Sequence, residues 1–211
     1  MIAEHGQGNI VLSGFMGSGK TTVGRQLAAA LHMKFVDMDR HIEEKTGMKV
    51  TEIFARYGEA HFRELETETV RILSESADYV VATGGGTLMR PENVEGFHKG
   101  GGTIYYLDVP LAALQERLKR DKRRPLLQTP DRRAVIERLF NERKPKYLAS
   151  ADVVVDAGAP INIVVRRICA LRGVEPEKNG ALPRAAGRKA KRWCGRRGGR
   201  RGPLPGDQEN T

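Results

Sequence analysis

Apolar and polar positions along the chain follow two alternating periods. Short apolar runs occur at NIVLSG (9–14), KFVDMD (34–39), DYVVATGGG (78–86), GTIYYLDV (102–109) and DVVVD (152–156). Rich in Val, Ile, Leu, Phe and Tyr and flanked by Gly, Asp or Asn, they predict buried strands. Between them the apolar positions recur at helical spacing. Residues 20–32 place Val23, Leu27, Ala30 and Leu31 on one face. Residues 51–75 predict one long amphipathic helix, with Ile53, Phe54, Tyr57, Leu65, Ile72 and Leu73 as its apolar set. Further helical stretches cover 110–120, the residues up to about 147, and 160–171, with the charged loop DKRRPLLQTPD (121–131) between the first two. Strands that alternate with crossover helices predict a five-stranded parallel sheet covered on both faces, a three-layer α/β fold. No internal repeat interrupts this order.

The pattern stops near residue 173. From there to the end, ten Lys/Arg stand against four Asp/Glu, so +6 of the net charge of +10 sits in 174–211. The segment RAAGRKAKRWCGRRGGRRGPLPG (184–206) is almost devoid of apolar residues. It has too little surface to bury to offset its ordering entropy. A folded domain over 1–173 and a disordered basic tail over 174–211 are therefore expected. The tail reads as a solvated appendage, with nonspecific binding of polyanions as the second reading and no specific nucleic-acid site. No apolar run approaches the roughly 18 residues of a membrane span. The first residues show neither a leader peptide nor an Arg/Ser-rich presequence, so a cytoplasmic location is expected. Cys169 and Cys194 are the only cysteines and imply neither a disulfide framework nor a zinc site.

Candidate chemistry begins at GFMGSGKTT (14–22), directly after the first apolar run. It fits G-x-x-x-x-G-K-[ST], a loop that cradles nucleotide phosphates. Gly14, Gly17 and Gly19 bring backbone N–H groups close to phosphate oxygens, Lys20 reaches the β- and γ-phosphates, and Thr21 is placed to ligate Mg²⁺. Ser18 and Thr22 complete the stretch. The loop alone does not distinguish a switch, a motor and a small-molecule kinase. Three weaker signals accompany it. Asp37 and Asp39 lie at a strand's carboxyl end, where alternate residues share one side; a helix N-cap followed by a solvated Asp fits the same spacing. FARYGEAHFR (54–63) places Arg63 at helical spacing from Glu59 and Glu66, which makes ion pairs available. The triplet Gly84, Gly85 and Gly86 suits backbone approached closely by a ligand, or a flexible turn.

Taken together, GFMGSGKT, DMD, FARYGEAHFR, ATGGG, RDKRRPLL and ERKPKY resemble the shikimate kinase family, in that family's order and over about residues 8–172. The resemblance implies the P-loop kinase fold of the nucleoside-monophosphate-kinase-like branch. It implies ATP-dependent phosphorylation of the 3-hydroxyl of shikimate, in the route to chorismate and the aromatic amino acids. Arg63 and Arg143 match the arginines that bind the acceptor's carboxylate, and Gly85 matches a backbone donor to it. Asp39 matches the residue that grips ring hydroxyls and takes a proton. Asp37 matches the carboxylate that supports Mg²⁺ through water, and Thr21 its direct ligand. Residues 121–131 correspond to a mobile lid, with Arg124 closing on the ATP phosphates. Arg117 matches the arginine that packs on adenine. The short DAGAP loop lacks an arginine found in some members and leaves Pro160 as the remaining nucleotide contact. Shikimate and ATP are the expected partners, with no membrane partner, and a monomer is expected.

Overall fold

In the computed structural model, β1 (Ile10–Ser13) is the central strand and is buried along its whole length. It has no polar face because helices cover both sides of the sheet, the environment that turns a strand into a continuous apolar run. The structure describes residues 8–119, 121 and 127–174. Arg124, with residues 122–126 of the expected lid, and the expected tail from 175 onward lie outside the described residues.

All strand pairs are parallel, in the order β2 (Lys34–Asp37), β3 (Tyr79–Ala82), β1, β4 (Thr103–Asp108), β5 (Val153–Asp156). The helices are α1 (Lys20–Ala30), α2 (Met38–Thr46), α3 (Val50–Ser74), α4 (Pro91–Lys99), α5 (Leu111–Leu118), α6 (Arg132–Ala149) and α7 (Ile161–Leu171), with a 3₁₀ turn at Thr87–Met89. Successive strand residues point to opposite faces. Ile10, Leu12 and Val80 pack with Val23 and Leu27 of α1, Phe140 of α6 and Ile168 of α7. Val11 and Val81 pack with Val70 and Leu73 of α3 and Phe97 of α4. Burying one such side chain contributes about 1.5–3 kcal/mol, so both helical layers are held by the same alternation. Among the described residues no helix is long and apolar enough to cross a membrane.

This layering fixes where a ligand can enter. The chain leaving β1 turns to one face with α1, and the chain leaving β3 turns to the other with α4. A crevice opens between two such carboxyl ends. The strand register places Leu12, Ala82 and Asp37 side by side. One rim therefore carries the loop after β1, the aspartates after β2 and the glycines after β3.

Four features depart from the sequence pattern. The strand over KFVDMD ends at Asp37, whose side chain caps α2 by accepting from the Arg40 N–H, so Asp39 lies on a helix and not on a strand. The helix over 51–75 is broken at Gly58 (φ 79°, ψ 175°), a left-handed value that glycine adopts without strain. Beside the break, Phe54 and Tyr57 are more than a third exposed, while Ile53 stays buried. Finally, α4 and the 3₁₀ turn lie in a stretch whose apolar spacing did not announce them.

Candidate active site

A cleft of ≈1120 Å³ runs along that rim, and its lining includes Gly17, Gly19, Lys20, Thr21, Thr22, Asp37, Asp39, Arg63, Glu66, Gly85, Gly86, Arg117 and Arg143. Most residues expected to act together from the sequence thus meet in one space. Gly14, Ser18, Gly84 and Pro160 stand just behind it, and Arg124 lies outside the described residues.

One end of the cleft is the loop after β1. Gly14, Gly17 and Gly19 have φ of 149°, 81° and 95°, which side-chain-bearing residues rarely adopt. These values fold the loop back over the start of α1, whose N-terminal N–H groups favour an anion. The Lys20 ammonium donates to the Gly14 carbonyl at 2.7 Å and to the Phe15 carbonyl at 3.2 Å. Ser18 is buried under the loop and its N–H donates to the Phe15 carbonyl. Arg117, at the end of α5, donates to the Gly17 carbonyl at 3.2 Å and so lies against the loop. Pro160 caps α7, and its neighbour Ile161 reaches toward Gly19.

The other end is assembled from opposed charges. Arg63 donates from Nε and from one terminal nitrogen to Glu59, at 3.1 and 2.6 Å. Its other terminal nitrogen donates to Glu66 at 2.6 Å. Both ion pairs open to Arg63 by helical spacing therefore form. Glu66 is fully buried and also accepts from the Thr87 hydroxyl. Burial disfavours the Arg63 charge, but the Glu66 and Glu59 carboxylates outweigh it and raise its pKa. Glycine is required on two sides of this group. A Cβ on Gly84 would lie 2.6 Å from a Glu66 oxygen and 2.8 Å from an Asp39 oxygen, and a Cβ on Gly86 would overlap the Arg63 guanidinium.

Asp39 sits between the two ends. Burial, reinforced by the Glu66 and Asp37 carboxylates, raises its pKa from 3.8 to about 6, against the pull of Lys20 and Arg63. The reading of this aspartate as a solvated residue after a cap is therefore half right. Asp37 does cap the helix, and Asp39 is half-buried in the cleft wall beside the glycines. From α6, Arg143 approaches the Gly85 carbonyl at 3.5 Å, while the Tyr147 hydroxyl donates to the same oxygen at 2.6 Å. Burial pushes the Tyr147 pKa up, so the hydroxyl remains a donor at neutral pH. Tyr147, Thr87 and the burial of Glu66 were not anticipated as parts of the site. The nearest signal was the position of Tyr147 in ERKPKY.

The donor set suits Mg²⁺. The Thr21 hydroxyl donates to an Asp37 oxygen at 2.7 Å, so two hard oxygen donors already meet beside Lys20. Among the described residues no group of three or more His, Cys, Asp or Glu is arranged to hold a metal. That combination fits an ion that keeps several waters and takes its remaining ligands from phosphate.

The shikimate kinase family model matches residues 16–171. The chain belongs to the shikimate kinase family. It is 45% identical over 164 residues to the shikimate kinase of Chromobacterium violaceum, an alignment that covers 76% of this chain and 88% of that one. It is 46% identical over 157 residues to the shikimate kinase of a Sulfurihydrogenibium species, covering 74% and 93%. A solved structure of shikimate kinase from Acinetobacter baumannii in complex with shikimate superposes with a TM-score of 0.73 at 36% identity, covering 79% of this chain and 94% of that chain. The described part of the chain is thus a kinase of this family, with a five-stranded parallel sheet flanked by helices.

Proposed function

We propose that the cleft transfers the γ-phosphoryl group of ATP to the 3-hydroxyl of shikimate, giving shikimate 3-phosphate and ADP. The observation that carries this reading is one rim with two unlike ends. A phosphate loop faces a pocket in which Asp39, Arg63, Arg143, Gly85 and Gly86 converge. In this assignment Gly14, Gly17, Ser18, Gly19, Lys20, Thr21 and Thr22 hold the phosphates, Arg117 the adenine, and Pro160 flanks the nucleotide. Arg124 is assigned to the transferring phosphate. Arg63 and Arg143 bind the acceptor's carboxylate, since a guanidinium stays charged and offers paired donors. Gly84, Gly85 and Gly86 face the same group with backbone.

Lys20 exchanges the carbonyls of Gly14 and Phe15 for phosphate oxygens when the nucleotide binds. Asp39 accepts the proton of the attacking hydroxyl. A carboxyl with a pKa of about 6 is mostly ionised at neutral pH yet more basic than an ordinary aspartate, which is what a general base near neutrality needs. Mg²⁺, held by Thr21 and supported by Asp37, supplies neutralisation of the phosphate oxygens when bound. The protein acts in this reading as a cytoplasmic monomer, and its basic tail takes no part in the chemistry.

A coupled ADP-release assay tests the assignment, with shikimate, gluconate and nucleoside monophosphates offered in parallel. Turnover with shikimate that depends on Mg²⁺ is expected. Turnover of gluconate or AMP with none of shikimate would overturn it.

A further inference from the structure

The glycine triplet poses a problem that its own residues do not solve. A peptide between two glycines rotates at little steric penalty. Its carbonyl oxygen and its N–H point in opposite directions. In one orientation the Gly85–Gly86 peptide turns its carbonyl away from an anion; rotated by half a turn, it presents that oxygen to the same anion and repels it. The choice matters here because Gly85 and Gly86 both line the cleft beside Arg63 and Arg143. Their N–H groups donate to no protein acceptor among the described residues.

Two side chains on α6 donate to the Gly85 carbonyl, and Tyr147 is the nearer of them. Tyr147 donates its hydroxyl hydrogen to the Gly85 carbonyl at 2.6 Å, across 62 residues of sequence. The tyrosine is itself held. It is 2% exposed, and its ring stacks on Tyr106 of β4 at 5.5 Å between centroids and 16° between planes. The Tyr106 hydroxyl points to Asp108, which Lys144 of α6 also grips at 3.0 and 3.1 Å. Arg143 and Tyr147 are four apart on α6, the spacing that puts two side chains on one face, and both reach Gly85. The helix that brings an arginine to the acceptor therefore also brings a clamp for the backbone opposite it.

We propose that Tyr147 is a positioning residue for the acceptor: its hydroxyl holds the Gly85 carbonyl and thereby fixes the Gly85–Gly86 peptide with its oxygen turned away from the acceptor's carboxylate. The inference rests on the assignment of that pocket to shikimate. Tyr147 touches neither substrate. It acts on shikimate binding through that peptide plane and through its hydrogen bond with Arg143, and leaves the ATP end alone.

The test uses Tyr147→Phe and, as a control, Tyr106→Phe in the full chain, with kcat, both KM values, shikimate Kd by calorimetry and Tm. Tyr147→Phe keeps the stacked ring and removes only the hydroxyl. It should raise the KM and Kd of shikimate about tenfold, the effect of one net hydrogen bond, with kcat within about threefold and the KM of ATP unchanged. Tyr106→Phe removes the neighbouring hydroxyl, whose partner Asp108 keeps Lys144, and should leave the shikimate KM within about twofold. In the wild-type protein, which requires no substitution, the Gly86 amide should give one sharp NMR resonance before shikimate is added. A shikimate KM within twofold of wild type in Tyr147→Phe would overturn the proposal. So would equal losses toward both substrates in both variants, or exchange broadening of the Gly86 amide in the unliganded wild type. Failure of the underlying assignment looks different: the wild-type enzyme would then not turn over shikimate at all.

Discussion

The two ends of the cleft are built by opposite means. The phosphate-binding part of the ATP end is a single stretch, 14–22, shaped by backbone and carrying one lysine that donates to the carbonyls of its own loop. The acceptor end draws Asp39 from α2, Arg63 and Glu66 from α3, three glycines from the chain after β3, and Arg143 and Tyr147 from α6. It buries Glu66 completely between Arg63 and Thr87. A charge removed from the ATP end leaves carbonyls that water can reach. A charge removed from the acceptor end leaves an opposite charge stranded inside. Binding and folding are therefore separable at one end and coupled at the other.

Asp39 lies where the two ends meet and should show the largest kinetic effect. Asp39→Asn removes the base while keeping the shape, and loss of a positioned proton acceptor costs about 10²–10⁴ in rate, read as kcat. In the wild type, kcat/KM for shikimate should rise with pH through about 6 and then level, following ionisation of Asp39 in the free enzyme; the variant should lack that limb. Stability should move the other way. The folded-state pKa is about 6, above the ordinary 3.8, so the contribution of this group is fully present below 3.8 and lost as pH rises through 6. An asparagine avoids that loss. At pH 8 Asp39→Asn should melt above the wild type, by on the order of 2 kcal/mol in stability, and the gap should close at pH 4. A kcat within twofold of wild type would remove Asp39 from the chemistry.

The next effect separates the ends directly. Arg63→Lys keeps a cation for Glu66 but loses the paired donors, and should weaken shikimate binding by about 10–100-fold with ATP binding unchanged in calorimetry. Arg63→Ala should also destabilise the fold by about 3–5 kcal/mol, because Glu66 is left buried without a counterion. Lys20→Ala should cripple phosphate handling with little change in Tm. Equal Tm losses in Lys20→Ala and Arg63→Ala would break the contrast between the ends.

The same contrast explains what the sequence made legible. The ATP end is contiguous, so spacing alone exposed Gly14, Gly17, Gly19, Lys20 and Thr21. The sheet was equally legible: burial on both faces writes β1, β3 and β4 as apolar runs, and the edge strands β2 and β5 keep apolar sequences although several of their positions are exposed. The acceptor end depends on contacts made by folding. Asp39 was left between two readings, a second carboxylate at a strand's end and a solvated residue after a helix cap, because spacing fits both; the fold gives the cap to Asp37 and places Asp39 in the cleft. Phe54 and Tyr57 were assigned to a core because a periodic pattern does not register a turn of φ at Gly58. Glu66 reads as a surface partner of Arg63 until the glycines and Thr87 are seen to enclose it. Tyr147 and Gly85 are joined by a hydrogen bond with no trace in local pattern.

The smallest effect is the most discriminating about how the acceptor end waits for its substrate. Glu59 is 65% exposed at its side chain, yet one of its oxygens takes both the Nε and a terminal N–H of Arg63. Those two donors form one edge of the guanidinium, the kind of edge a substrate carboxylate pairs with. Glu59 therefore stands in for the acceptor in the unliganded site and must yield when shikimate arrives. Glu66 holds the opposite side and need not move. An exposed ion pair contributes about 0.2–1 kcal/mol, so Glu59→Gln should lower the shikimate KM by about two- to fivefold, with kcat and the KM of ATP unchanged. The gain should shrink at high salt, where the competing pair in the wild type is already screened. A rise in the shikimate KM on Glu59→Gln would reverse the reading: Glu59 would then be orienting Arg63 for the substrate rather than competing with it.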